Sequence, residues 1–293
     1  MPRTAVVVYN LGGPDSPDAV QPFLFNLFND PAILRQIAPA RWILAKFISS
    51  RRAPVAKEIY ARIGGRSPIR EETQAQVDSL EKTLNTDGHF KVFMAMRYWH
   101  PFAEECMDDV VAYAPDEIIL LPLYPQFSTT TTGSFLNVWN SLALQRDIKT
   151  PTTSICCYPK EEGFINSVAE LARVSIEEAG GLSVNPKVLF SAHGIPKNFV
   201  EAGDPYQSHV EMTVDAIVKS LAIQNLDYMV CYQSRVGPVE WLKPYTDHVI
   251  TEFSAQGRPI VVVPVAFVSE HSETLVELDI EYRDLALKNG ASS

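Results

Sequence analysis

The run KVLFSAHGIPKNFV, residues 187 to 200, decides the fold. Val188 to Ala192 is apolar at every position but Ser191, as befits a strand covered on both faces, and the run then meets His193 and breaks at Gly194 and Pro196. In open α/β sheets the crevice outside the carboxyl ends of the strands binds ligands. A histidine in that place is a first candidate for proton exchange near neutral pH.

Six further runs share this character: Ala5 to Tyr9, Val92 to Met96, Glu117 to Tyr124, Ser154 to Tyr158, Tyr228 to Tyr232 and Ile260 to Phe267. Their wide spacing leaves room for helical crossovers, which predicts an α/β protein with parallel strands. Two local matches point to an internal duplication. VVVYNLGGP (6 to 14) aligns with VLFSAHGIP (188 to 196) at an offset of 182, placing Leu11 opposite His193. IILLPLYPQFS (118 to 128) aligns with IVVVPVAFVSE (260 to 270) at an offset of 142, placing Pro122 opposite Pro264. The expectation is two similar halves, residues 1 to 158 and 159 to 293, facing each other across a cleft. A counterpart of the SICCYP strand would fall near 297, past residue 293. The second sheet is therefore expected to be smaller, or the chain to lack a C-terminal strand and helix.

Composition narrows the partners. A chain of 293 residues with 46% hydrophobic content can bury sizeable cores, and its net charge of −10 argues against nucleic acid as the main partner. No run approaches the ~20 apolar residues of a membrane span, and MPRTAVVVYN enters a strand without a signal-peptide core, so a cytoplasmic location is expected. Cys106, Cys156, Cys157 and Cys231 form no C-x-x-C pair and read as buried, inert thiols.

Five stretches could carry chemistry. His193 is the first. The second is VSEHSETLVELDIEYRDLA, 268 to 286. On a helix at 100° per residue, Glu270, Glu273, Glu277 and Glu281 fall within about 80° of one another. Like charges four apart cost roughly 0.2–0.5 kcal/mol per pair, so the stripe needs open water or a cation. A solvated helix face is the plain reading; its position after the most apolar strand favours the cleft. His271 and Glu273 add donors suited to a divalent transition metal. The third comprises YARIGGRSPIREET (60 to 73) and AMRYWHP (95 to 101), a turn into a helix and a cation among aromatic rings. The fourth is YPQFSTTTTGSFLN (124 to 137), which lacks the glycine spacing and lysine of a P-loop; NLGGPDS likewise is not a dinucleotide fingerprint. The fifth, residues 31 to 57, holds six basic and no acidic residues interleaved with Ile33, Leu34, Ile37, Trp42, Ile43, Leu44, Phe47 and Ile48. Such a surface rests on anionic lipid, admits a large apolar ligand, or packs on the core with its arginines exposed.

Taken in order, NLGGPDS, YARIGGRSPI, MRYWHP, LPLYPQFSTTTTGS, SAHGIP with GDPY (203 to 206), YQSRVGPVEWLKPYTD (232 to 247) and SEHSETLVELDIEY resemble the ferrochelatase family, whose members insert ferrous iron into a porphyrin. The resemblance implies two Rossmann-like halves of the chelatase type with the porphyrin between them. It implies His193 and Glu273 as the catalytic pair, and His193, Glu273, Glu277 and Glu281 as the residues that handle metal or protons, on a helix with a wide π-type turn. Leu11, Pro14, Tyr60, Ser67, Arg97, Tyr98, Ser128 and His271 match porphyrin-pocket positions, and residues 31 to 57 match the apolar lip at the membrane surface.

Iron enters as substrate, with no permanently bound cofactor. The residue directly after Ser128 is Thr129 rather than cysteine and no C-terminal cysteine cluster is present, so a [2Fe–2S] centre, which usually needs four thiolates, is not expected. Glu270 stands where some relatives carry aspartate. The NLGGP loop resembles enzymes acting on protoporphyrin IX; a chelatase for coproporphyrin or sirohydrochlorin, and a non-catalytic porphyrin or metal carrier, are the alternatives.

Overall fold

The computed structural model describes residues 2 to 86 and 88 to 293. The chain divides into two compact units: residues through Cys157 together with Val268–Ser272, and Tyr158–Phe267 together with Glu273–Ser293. The short segment Val268–Ser272, expected in the second half, groups with the first.

The first unit is built on a parallel sheet of order β2-β1-β3-β4, formed by β1 (Arg3–Asn10), β2 (His89–Met96), β3 (Glu117–Pro122) and β4 (Thr152–Ser154). Its helices are α1 (Val20–Phe28), α2 (Ala38–Ala61), α3 (Ile69–Leu84), α4 (Ala103–Tyr113) and α5 (Thr132–Gln145). Both faces of β1 are buried, which is why its sequence is continuously apolar from Ala5 to Tyr9. Ala5, Val7 and Tyr9 pack with Met107, Leu120 and Trp139 on one side; Val6 and Val8 pack with Val77 and Val92 on the other. Tyr9 stacks on Phe135 with ring centroids 3.9 Å apart.

The second unit repeats the plan with a three-stranded parallel sheet of order β6-β5-β7, from β5 (Lys187–His193), β6 (Tyr228–Gln233) and β7 (Ile260–Pro264). Around it lie α6 (Glu162–Glu178), α7 (Lys197–Glu201), α8 (Tyr206–Leu221), α9 (Thr246–Ser254), a π-helix (Glu273–Glu281) and α10 (Tyr282–Lys288). Val188, Phe190 and Ala192 enter one core, Leu189 the other.

The two sheets agree in register as well as in order. Tyr9 pairs with Pro122 across β1 and β3, and Ser191 pairs with Pro264 across β5 and β7. Residue 9 precedes 191 by 182, and 122 precedes 264 by 142, the two offsets of the sequence repeat.

Two expectations change. The strand drawn from Ser154 to Tyr158 is instead Thr152–Ser154, an edge strand of three exposed residues. Its last backbone bond runs from Ile155 to Leu120 (2.9 Å), so the two cysteines that follow lie beyond the ladder. Cys156 is exposed and Cys157 half-buried, whereas Cys106 and Cys231 are buried as expected.

Phe190 is fully buried, so Phe190→Ala should cost about 3–5 kcal/mol in denaturant unfolding, while Cys156→Ser should stay within ~0.5 kcal/mol. Comparable losses from both would refute this assignment of core and edge.

Candidate functional site

The second unit gathers its chemistry where β5 and β6 end. His193 is the last residue of β5 and pairs with Gln233, the last of β6. Its carbonyl accepts a hydrogen bond from the Tyr206 hydroxyl (2.9 Å), and the edge of Trp241 stands against the imidazole at 6.3 Å between centroids. Gly194 is closely fitted here: an added Cβ would lie 3.0 Å from the Gln233 carbonyl oxygen and 3.3 Å from the Trp241 ring.

His193 Nδ1 lies 2.8 Å from Glu273 Oε2. The imidazole is 36% exposed and the carboxylate 23%, so the pair is shielded yet reachable. Ser234, the first residue past β6, binds both acids. Its backbone N–H donates to Glu277 Oε1 (3.0 Å), and its hydroxyl contacts Glu273 Oε2 (3.2 Å) and Glu277 Oε2. Ser234 holds φ at 63°, a left-handed conformation that a non-glycine residue adopts at a cost. Tyr282 donates to Glu277 Oε1 (3.0 Å) from the other side.

This network shifts two titrations. Burial opposes the charged imidazole, yet the charge and hydrogen bond of Glu273, with the charge of Glu277 behind it, raise the pKa of His193 above its ordinary value. Burial raises the carboxyl of Glu277 too, and the charge of Glu273 adds to it against the hydrogen bonds from Ser234 and Tyr282. A histidine and an acid that both hold their protons more tightly than usual can receive and pass them.

The acidic stripe differs from the uniform helix read from sequence. The π-helix carries Glu273, Glu277 and Glu281, with Glu281 exposed at its outer end. Glu270 and His271 precede it and belong to Val268–Ser272. That segment is held inside the first unit: Gln76 Nε2 donates to the Val268 carbonyl, Ser269 bonds Gln76 Oε1 (3.1 Å), and Asn10 Nδ2 reaches Ser269 Oγ (3.4 Å). Those bonds keep the chain out of helical geometry until Ser272. Among the described residues, no three His, Cys, Asp or Glu side chains converge tightly enough to cage a metal ion.

The first unit holds most of the remaining expected site residues. Half-buried Leu11 follows β1 and bonds its backbone to Asn10 Oδ1 (2.8 Å). The buried Pro14 accepts from Ser67 N–H (2.8 Å), and Gly13 has no room for a Cβ, which would sit 2.5 Å from the Ser67 Cβ. Tyr60, buried near the end of α2, receives the Ser272 hydroxyl at 3.4 Å. Ser128 is buried and bonds Thr130 Oγ1 (2.8 Å), and His271 is buried. Arg97 and Tyr98 are brought together, the guanidinium 4.8 Å from the phenol ring centroid.

Two residues escaped the sequence reading. Ser234 sits in YQSRVGP, and the rule that singled out His193, the carboxyl end of a buried strand, applies equally to it. Asp30 immediately precedes the acid-free stretch and is buried with Arg97, Tyr98 and Ser134 on its carboxylate. Its only local signal is the Asp-Pro turn.

Comparison with known proteins adds independent findings. The family model described as Ferrochelatase matches residues 3–293. The chain is 49% identical over 294 residues to the ferrochelatase of Pelagibacter ubique, covering 99% of this chain and 84% of that one. It is 52% identical to that of Rickettsia bellii strain OSU 85-389, covering 98% and 79%, and 49% identical to that of Caulobacter vibrioides strain NA1000 / CB15N, covering 99% and 83%. A solved structure of SirB from Bacillus subtilis with Fe3+ superposes with a TM-score of 0.55 at 12% identity, over 98% of this chain and 84% of that one, a likeness of fold.

The His193 imidazole should titrate above ~6.5 by NMR of labelled histidine, and lower in Glu273→Gln. Because the folded pKa is the raised one, the stabilisation from this pair is complete below ~6.5 and is lost as pH rises through the native value. The stability gap between the parent chain and Glu273→Gln should therefore be wider on the acid side. An imidazole titrating at or below ~6.5 would contradict the electrostatics described.

Proposed function

The chain belongs to the ferrochelatase family, and from that premise we propose that it inserts Fe2+ into protoporphyrin IX through the His193–Glu273 pair. The free-base ring carries two pyrrole N–H groups. Fe2+ takes four nitrogen ligands, and two protons leave, giving protoheme. The protein must accept those protons in turn while the metal sheds water.

The observation that carries this reading is the 2.8 Å contact between Glu273 and Nδ1 of His193. With Nδ1 held by the carboxylate, Nε2 is the nitrogen left to take a pyrrole proton, and the carboxylate strengthens it as a base. Glu273 and Glu277, joined by Ser234, and the exposed Glu281 then form a line toward solvent along which protons leave or a divalent metal is handed in with His193. Metal here is a substrate in passage, handled by oxygen and nitrogen donors suited to a divalent transition ion.

The porphyrin-facing set comprises Leu11, Pro14, Tyr60, Ser67, Arg97, Tyr98, Ser128 and His271. Leu11 and Arg97 keep exposed surface, and the other six are buried and shape the wall behind them. Residues of the lip support a surface role. Ile37, Trp42, Ile43 and Phe47 are each more than half exposed, and Arg51 lies 4.9 Å from the Phe47 ring centroid. No described helix is long and apolar enough to cross a membrane. The lip fits peripheral contact with an anionic bilayer, from which a poorly soluble porphyrin can be drawn.

His193→Ala should lower the anaerobic rate of Fe2+ or Zn2+ insertion, followed by porphyrin absorbance, by about 10²-fold or more, with porphyrin binding largely kept. A variant turning over at the parent rate would sink the mechanism. Reversing Arg51 and Arg52 to Glu should weaken cosedimentation with anionic vesicles; unchanged partition would mean that α2 is an ordinary solvated helix.

A further inference from the structure

The carboxylate of Asp30 is 3% exposed and takes four hydrogen bonds from three separate parts of the first unit. Oδ1 accepts from the Ala32 backbone N–H (2.8 Å), closing a turn just after α1. Oδ2 accepts from Arg97 Nη2 (2.8 Å), from the Tyr98 hydroxyl (2.7 Å) and from the Ser134 hydroxyl in the first turn of α5. Ser134 Oγ in turn accepts from Arg97 Nε (2.7 Å). The Nε and Nη2 donors on one edge of the guanidinium are thus both engaged.

A buried carboxylate is costly unless its partners are complete, and here they are. Burial and the Asp30 charge hold the Tyr98 phenol far above its ordinary pKa, so it stays a donor. Arginine is long and has many rotamers; a frame that holds Nε on Ser134 and Nη2 on a buried carboxylate removes much of that freedom before a ligand arrives. Asp30 also opens the turn that leads into the lip helix α2, since its carbonyl accepts from Ile33 (3.0 Å) and Leu34 (2.9 Å).

We propose that Asp30 is a positioning residue for porphyrin binding: with Ser134 it pre-orients Arg97 toward the ring and ties that orientation to the turn preceding the lip. This rests on the functional reading above, in which Arg97 belongs to the porphyrin-facing set. Asp30 itself touches no reacting atom. Its effect passes through Arg97 and is seen in substrate affinity more than in turnover.

The test is a cycle of Asp30→Asn, Arg97→Ala and the double variant, with KM and kcat for metal insertion, porphyrin Kd by fluorescence titration, and thermal midpoints. Asp30→Asn should raise porphyrin KM and Kd about tenfold, the worth of a hydrogen bond to a charged group, while kcat falls far less. In the Arg97→Ala background the same change should add little. Ser134→Ala should shift KM in the same direction by a smaller factor, and it decides the matter if Asp30→Asn does not fold. Parent-like KM and Kd in both variants would overturn the proposal, as would a rise that persists undiminished without Arg97. If the parent chain binds porphyrin but inserts no metal, the proposed function has failed while the Kd cycle still decides the role of Asp30.

Discussion

A histidine at the end of a parallel strand is an ordinary feature until something fixes its tautomer and its charge. Here that constraint is the Glu273 carboxylate, 2.8 Å from Nδ1, and much of the second unit serves to hold it there. Tyr206 anchors the His193 carbonyl, Trp241 and Gly194 close the space beside the ring, and Ser234 accepts a left-handed backbone in order to bind Glu273 and Glu277 together. The opposing influences on the imidazole are burial and two nearby acids, and the acids win. The result is a base stronger than free histidine beside a carboxyl that is harder to ionise than usual.

The π-helix is the second piece of local cost. Wide i→i+5 turns are rare because their hydrogen bonding is less favourable, and nine residues of it, Glu273–Glu281, are far more than a single bulge. It presents three glutamates in a line that begins at the imidazole and ends in solvent, while Val276 and Leu278 stay buried behind them. A carboxylate line of this kind could not be buried whole without partners. Its gradient from half-buried Glu273 to exposed Glu281 is the arrangement that charge burial tolerates.

In the first unit the comparable hub is Asp30, and the contrast is instructive. His193 and Glu273 leave a nitrogen free for chemistry, whereas the Asp30 carboxylate spends its acceptor capacity on Ala32, Arg97, Tyr98 and Ser134. One carboxylate stands beside an imidazole that is 36% exposed, the other is enclosed among its hydrogen-bond donors.

Much of this was legible in the sequence. Six of the strands, their parallel sense and the duplication with offsets of 182 and 142 follow from runs of apolar residues and where they break, and the same signal puts His193 at the end of a strand. These are local signals, set by which residues can be buried on both faces of a sheet. The tertiary structure decided the rest. Cys156 and Cys157 read as a buried strand but lie past an edge ladder, because apolar character alone does not say where backbone pairing stops. Glu270 and His271 read as helical but are held with Asn10 and Gln76 in the segment Val268–Ser272, by bonds to residues about 190 or more positions away. Ser234 at a strand end and Asp30 at an Asp-Pro turn carry only weak local signals, since a hydrogen-bond hub is defined by the groups that converge on it. Periodicity records what each residue does to its own neighbours in sequence; convergence belongs to the folded chain.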